Sequence, residues 1–84
     1  MTAEEIQNII FRALRGIAPE VDPAGIDPAA DLREEVDLDS MDFLNLIVSV
    51  DKELGVEIPE SDYPHLATLE GWTSYLVRRT SEGE

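Results

Sequence analysis

The five prolines of this 84-residue chain stand at positions 19, 23, 28, 59 and 64. A proline inside a helix removes one backbone hydrogen bond and collides with the preceding turn. Long helices are therefore confined to the stretches before Pro19, between Pro28 and Pro59, and after Pro64, and each of these carries apolar residues at helical spacing. In the first, Thr2 and Glu5 form a capping box. Ile6, Ile9, Ile10, Ala13, Leu14 and Ile17 follow on one face, and Gly16 marks the end. In the second, a helix is predicted from Ser40 to Leu54, with Asp39 as N-cap, Asp42 in the first turn and Gly55 as the stop. Phe43, Leu46, Ile47, Val50 and Leu54 make one wide stripe, assigned to the core. Met41, Leu44 and Val48 make a flank beside it, next to Asn45 and Lys52. Periodicity leaves that flank open between a core edge and an exposed contact patch. In the third, Thr68 caps a helix with Leu69, Trp72, Tyr75 and Leu76 on one face. It ends at Arg78-Arg79, cations suited to the negative end of the dipole, and Thr80 to Glu84 are expected to fray.

The intervening segments are read from their breakers. Ala18 to Leu38 is predicted to be a long loop without helix, turning at Asp22-Pro23 and Asp27-Pro28 and anchored by Ile26, Leu32, Val36 and Leu38. Val56-Glu57-Ile58 is β-like but isolated, and Pro59 makes it an extended connector. Glu60 to His65 has room for one or two helical turns, interrupted by Pro64. The expected fold is all-α. It is a small bundle of three main helices plus one short helix, with a long loop between helices 1 and 2, in a single domain over residues 1–84.

Nineteen acids against six bases give a net charge of −13. Between Asp31 and Asp62, eleven acids face only Arg33 and Lys52, a net of nine negative charges around the second helix. Such a surface repels nucleic acid and anionic lipid; composition leaves open whether it also steers the protein toward basic protein faces or only keeps it in solution. No run is long and apolar enough to span a membrane. The acidic N-terminus lacks the pattern of a signal peptide, so a cytoplasmic location is expected. With no cysteine, disulfides, thiolate metal sites and a cysteine nucleophile are excluded.

The stretch Asp37-Leu38-Asp39-Ser40-Met41-Asp42-Phe43 places a serine between acids at the start of a helix. As a calcium loop it fails. Asp37 and Asp39 match the first two ligand positions, but Met41, Asp42 and Val48 fall where an oxygen donor, a glycine and a glutamate are required. As a catalytic nucleophile Ser40 lacks a partner, because the one histidine, His65, lies in a proline-flanked segment and no Gly-x-Ser-x-Gly surrounds the serine. No metal site and no catalytic residue are predicted. Two readings remain from the residues alone. Asp39-Ser40 is a capping pair, or Ser40 is a hydroxyl to which another enzyme attaches a phosphate-bearing group, held where free backbone N–H groups and the helix dipole favour it.

With Leu38 before it, Asp42 after it and Glu57-Ile58-Pro59 downstream, Asp39-Ser40-Met41 resembles the attachment motif of the acyl carrier proteins, the phosphopantetheine-bearing carrier domains. The likeness runs from about Ala3 to Arg79. It implies that a phosphopantetheinyl transferase (holo-synthase) moves 4′-phosphopantetheine from coenzyme A to Ser40, and that the arm's thiol carries acyl groups as thioesters. The carrier would catalyse nothing and deliver its cargo to acyl-transfer and synthase enzymes with basic docking faces. Asp39, Met41, Asp42, Leu44 and Val48 would contact those partners. Phe43, Ile47, Val50 and Leu66 are the candidates for lining a space for the acyl chain. The protein is expected to be a monomer and a discrete protein rather than a synthase module, with no nucleic-acid or membrane partner.

Two positions depart from the family pattern. Asn45 stands where fatty-acid carriers commonly have an acid, and Phe43 stands where a small polar residue is more usual. Both point to a specialised carrier rather than the one serving bulk fatty-acid synthesis; the resemblance implies delivery of acyl intermediates in fatty-acid, specialised lipid or polyketide-type synthesis. The competing readings are an aminoacyl or peptidyl carrier with the same arm, and an acidic helical binding domain with no arm.

Overall fold

The computed structural model describes residues 1–82. Thr2 opens helix α1 (Ala3–Ile17). Its hydroxyl accepts from the Glu5 amide at 3.2 Å, and the Glu5 carboxylate accepts from the Thr2 amide at 3.1 Å. The Thr2 amide favours the charged carboxylate and holds Glu5 below the ordinary range. Ile6, Ile9, Ile10 and Leu14 are buried. Gly16 lies inside α1, and Ala18 closes the helix by donating its amide to the Leu14 carbonyl.

The long loop is more ordered than its sequence suggests. It holds a 3-10 turn (Pro23–Gly25) and one α-helical turn, α2 (Leu32–Glu35). Both were expected to be non-helical. Helices this short bury too few residues to show a period, and aspartates specify them instead. Asp22, Asp27 and Asp31 each accept the backbone amide two residues on, at 3.0, 2.9 and 2.9 Å. The α2 turn ends with Asp37 in the left-handed region (φ 59°). Leu38 donates its amide back to the Arg33 carbonyl at 2.9 Å, the outer bond of a Schellman-type stop, where aspartate tolerates the backbone better than most residues. Leu32 is fully buried, and its amide donates to the Ala67 carbonyl at 2.8 Å. The Glu70 amide donates to the Pro28 carbonyl at 3.0 Å, so the loop is stitched to the start of the last helix.

Helix α3 (Ser40–Leu54) is capped by Asp39, whose carboxylate accepts the Asp42 amide at 2.8 Å, and stops at Gly55 with φ 66°. Leu46, Ile47 and Val50 are buried, while Phe43 and Leu54 are half-buried at the stripe's edges. Residues 56–59 are a connector outside any helix or strand, with Ile58 in the core. A 3-10 helix (Glu60–Leu66) follows, with Pro64 inside it.

Thr68 then caps α4 (Leu69–Glu82), accepting the Gly71 amide at 2.9 Å. Only glycine fits at 71, because a Cβ there would overlap the His65 carbonyl. Thr80 and Ser81, in the tail expected to fray, are helical. The Thr80 hydroxyl donates to the Leu76 carbonyl at 2.8 Å. Gly83 and Glu84, the end of the expected frayed tail, lie outside the described residues. Arg79 is a strut as well as a dipole partner. Its guanidinium donates to the Tyr75 hydroxyl (2.6 Å) and the Glu57 carbonyl (2.9 Å). The Tyr75 hydroxyl in turn donates to Asp62 at 2.6 Å.

α1 packs against both α3 and α4, and the Glu60–Leu66 helix packs on α4. One continuous core results, with Trp72 at its centre and fully buried. The fold is the expected all-α bundle of three long helices and a short fourth, with α2 and the Pro23–Gly25 turn added within the first loop.

Candidate functional site

Three short-range devices position Ser40. The stop at Asp37-Leu38 ends α2, burial of Leu38 fixes the chain, and the Asp39 cap starts α3. Ser40 is therefore the first residue of a fifteen-residue helix, exposed, with its hydroxyl outside the core. At this position its amide and that of Met41 have no intrahelical acceptor. Arg33 Nη2 donates to Ser40 Oγ at 3.4 Å, across from α2.

The flank beside the core stripe is exposed. Met41 is 67% accessible, and Leu44 and Val48 are each 44% accessible. A covered core edge is thereby ruled out for these three side chains. Asp39 is exposed and Asp42 half-buried. Asp39, Met41, Asp42, Leu44 and Val48 thus occupy the first three turns of α3 and its cap, with Met41, Leu44 and Val48 on one face and Asp42 turned away from it. Asn45 is exposed there too.

A cleft of about 610 Å³ opens at Ser40. Its walls are Arg33 and Asp31 from the end of the first loop, Phe43 and Leu44 from α3, and Glu60, Tyr63, Pro64 and Ala67 from the 3-10 helix and its exit. Of the residues expected to line an acyl space, only Phe43 is on this cleft. Ile47, Val50 and Leu66 are sealed in the core, at 1%, 0% and 0% accessible. The inward direction of Ile47 and Val50 was legible from the stripe of α3, whereas Leu66 lies in the 3-10 helix outside it. The structure separates the closed core from the open cleft, which the Phe43 ring divides. That ring meets Trp72 edge-on, with centroids 6.1 Å apart, and lies under the Arg33 guanidinium at 5.5 Å.

Arg33 was not singled out as a site residue from sequence, and in the 3-10 helix only Leu66 was. The available signal for Arg33 was its charge: it is the one base between Arg15 and Lys52, in an otherwise acidic stretch. Nothing in the sequence brings Tyr63, Pro64 and Ala67 to Ser40, since that contact depends on how the 3-10 helix folds back on α4. His65 is exposed and stacks on Tyr75, with centroids 5.7 Å apart.

An exposed serine stands at the mouth of a helix, beside an apolar flank, on a small helical bundle. The sequence matches the family described as the phosphopantetheine attachment site over residues 10–76, and the chain belongs to that family. Among curated relatives it is 38% identical over 78 residues to the acyl carrier protein of Thermosynechococcus vestitus, covering 89% of this chain and 96% of that one. It is 33% identical over 57 residues to the acyl carrier protein of Rubrobacter xylanophilus, covering 68% and 70%. A solution structure described as that of an acyl carrier protein from Anaplasma phagocytophilum has the same fold. It superposes with a TM-score of 0.78 at 24% identity, covering 94% of this chain and 92% of that one.

Membership makes the chain an acyl carrier rather than an enzyme, with 4′-phosphopantetheine as its covalent group. The site suits that group. A hydroxyl is exposed beside unpaired helix amides, a guanidinium lies within reach, and an open cleft leads away from both. No helix among the described residues is long and apolar enough to cross a membrane.

Proposed function

We propose that Ser40 bears the 4′-phosphopantetheine arm, and that the loaded chain delivers acyl groups to enzymes of fatty-acid, specialised lipid or polyketide-type synthesis. The observation that carries this reading is the exposed Ser40 hydroxyl at the mouth of α3, beside the flank of Met41, Leu44 and Val48. When bound, the arm supplies a terminal thiol on which acyl groups are held as thioesters. The chain's own residues do the rest. Asp39 fixes the start of α3, and Met41, Leu44 and Val48 offer an apolar contact that begins within one turn of it. The surrounding acids attract the basic docking faces of a phosphopantetheinyl transferase and of acyl-transfer and synthase enzymes. Tethering then raises the cargo's effective concentration at each partner's active site. The curated relatives are acyl carriers, which favours acyl over aminoacyl cargo. A monomeric, cytoplasmic carrier is our reading of the sequence.

Ser40→Ala tests the attachment point. Its caps and core are untouched, so the helical circular-dichroism signal should match wild type. Incubation with coenzyme A and a broad-specificity transferase should add the arm to wild type and leave the variant at its original mass. A modified Ser40→Ala protein would refute the assignment.

A further inference from the structure

We propose that Arg33 is the anchor for the arm's phosphodiester, holding it across the mouth of the cleft between α3 and the Glu60–Leu66 helix. The inference rests on Ser40 being the attachment point and adds a residue to it.

The backbone under Arg33 is firmly placed. It sits in α2, between the fully buried Leu32 and the stop at Asp37-Leu38, and its own amide is held by Asp31. The side chain is placed as well. Its guanidinium lies over the Phe43 ring at 5.5 Å, and Nη2 reaches Ser40 Oγ at 3.4 Å. A guanidinium has five N–H donors in a planar fork that matches two oxygens of a phosphate. One donor meets Ser40 here, and none has an ion-pair partner among the described residues. That is notable because Asp31, Glu34, Glu35, Asp37 and Asp39 are all close in sequence. Glu35 instead accepts the Asp27 amide at 2.8 Å, Asp31 caps α2 and Asp39 caps α3. Three of the nearby acids are thus occupied in building the loop, and the cation is left facing the serine.

A phosphodiester on Oγ adds a negative charge where Asp39 and Asp42 already crowd one helix end. The arginine offsets that repulsion and replaces its single long contact with Oγ by charge-assisted contacts to phosphate oxygens. Because Phe43 supports the guanidinium from the cleft side, an anchored phosphate starts the arm along the cleft and away from the exposed Met41 flank. Phe43 then has a second role, as the platform that aims Arg33.

The test uses the loaded protein and two substitutions, Arg33→Gln and Arg33→Lys. Each protein is driven to full loading with excess transferase and coenzyme A, and the mass is checked. Two signals are read: the phosphorus resonance of the arm, and the Nε–H resonance of Arg33 before and after loading. In wild type, loading should shift the Arg33 Nε–H, and the phosphorus resonance should differ from that of the same protein unfolded in urea. In Arg33→Gln the phosphorus resonance should move to the unfolded position. In Arg33→Lys, which keeps the charge and loses the fork, it should move part of the way. An unmoved Arg33 signal with one phosphorus position in all three folded proteins overturns the anchor while leaving the attachment point intact. Failure of wild type to gain the arm's mass overturns both. If a variant loads poorly, the Arg33 signal in wild type decides alone.

Discussion

Phe43 is the residue where stability and cargo meet. Its ring is half-buried, braced by Trp72 and covered by Arg33, and it forms one wall of the cleft at Ser40. An acyl chain gains about 0.8 kcal/mol for each methylene it buries, but on this side the ring fills the inward path. Wild type is therefore expected to shelter medium and long chains poorly, unless the first loop or the 3-10 helix moves. Phe43→Ala removes a partly buried ring and an edge-to-face contact, a loss of about 2 kcal/mol. In a domain of this size that lowers the unfolding midpoint of the unloaded protein by roughly 10 °C. The same change opens the cleft toward the core. Attached long chains should then raise the midpoint more in Phe43→Ala than in wild type, by thermal unfolding of unloaded, short-chain and long-chain forms. Equal chain-length dependence in the two proteins would make Phe43 ordinary core.

The three long helices were legible because each carries four or more apolar residues at period and a named cap: Thr2, Asp39 or Thr68. What failed at this scale was α2, which is one turn long. A helix of four residues buries Leu32 and little else, so no period exists to be read, and its aspartate cap looks like any other turn signal. The place of Ser40 at the start of α3 was legible from the Asp39 cap, while its proposed role came from the resemblance to the carrier family; the contact of Arg33 with Ser40 was illegible, because it spans two elements joined by the stop at Asp37. The exposed flank of α3 belongs to this scale as well. Met41 is mostly in solvent, so Met41→Ala should change the unfolding midpoint little. It should slow arm transfer by the transferase several-fold, measured as loaded mass against time at limiting enzyme. An unchanged rate would remove the flank from docking.

At the scale of the whole molecule the net charge of −13 sets the response to solution conditions. Acids crowded on one small surface repel one another in the folded state, so added salt should raise the thermal midpoint while slowing association with basic partners. Mild acidification should act in the same direction on stability. Asp51 is pushed above the usual carboxylate range, chiefly by burial and despite the Ile58 amide that favours its charged form. A group whose folded pKa exceeds its unfolded value binds its proton more readily when folded. Stability therefore rises as pH falls through the window just above the ordinary aspartate pKa. Glu5 opposes this at lower pH. Its folded pKa is depressed, so its contribution is present above its unfolded pKa and is lost as pH falls through its folded value. The midpoint should therefore climb from neutral pH into the mildly acidic range, and Asp51→Asn should flatten the climb. A midpoint that falls steadily from neutral pH, or one indifferent to salt, would contradict this picture.

The most direct measurement of the central claim is a peptide map of wild-type protein after incubation with coenzyme A and a broad-specificity transferase. The account predicts a single arm, on the peptide containing Asp39-Ser40-Met41 and at Ser40 itself. An arm mapped to Ser49, Ser61 or Ser74, or a protein that gains no arm under conditions that load a known carrier, would contradict it.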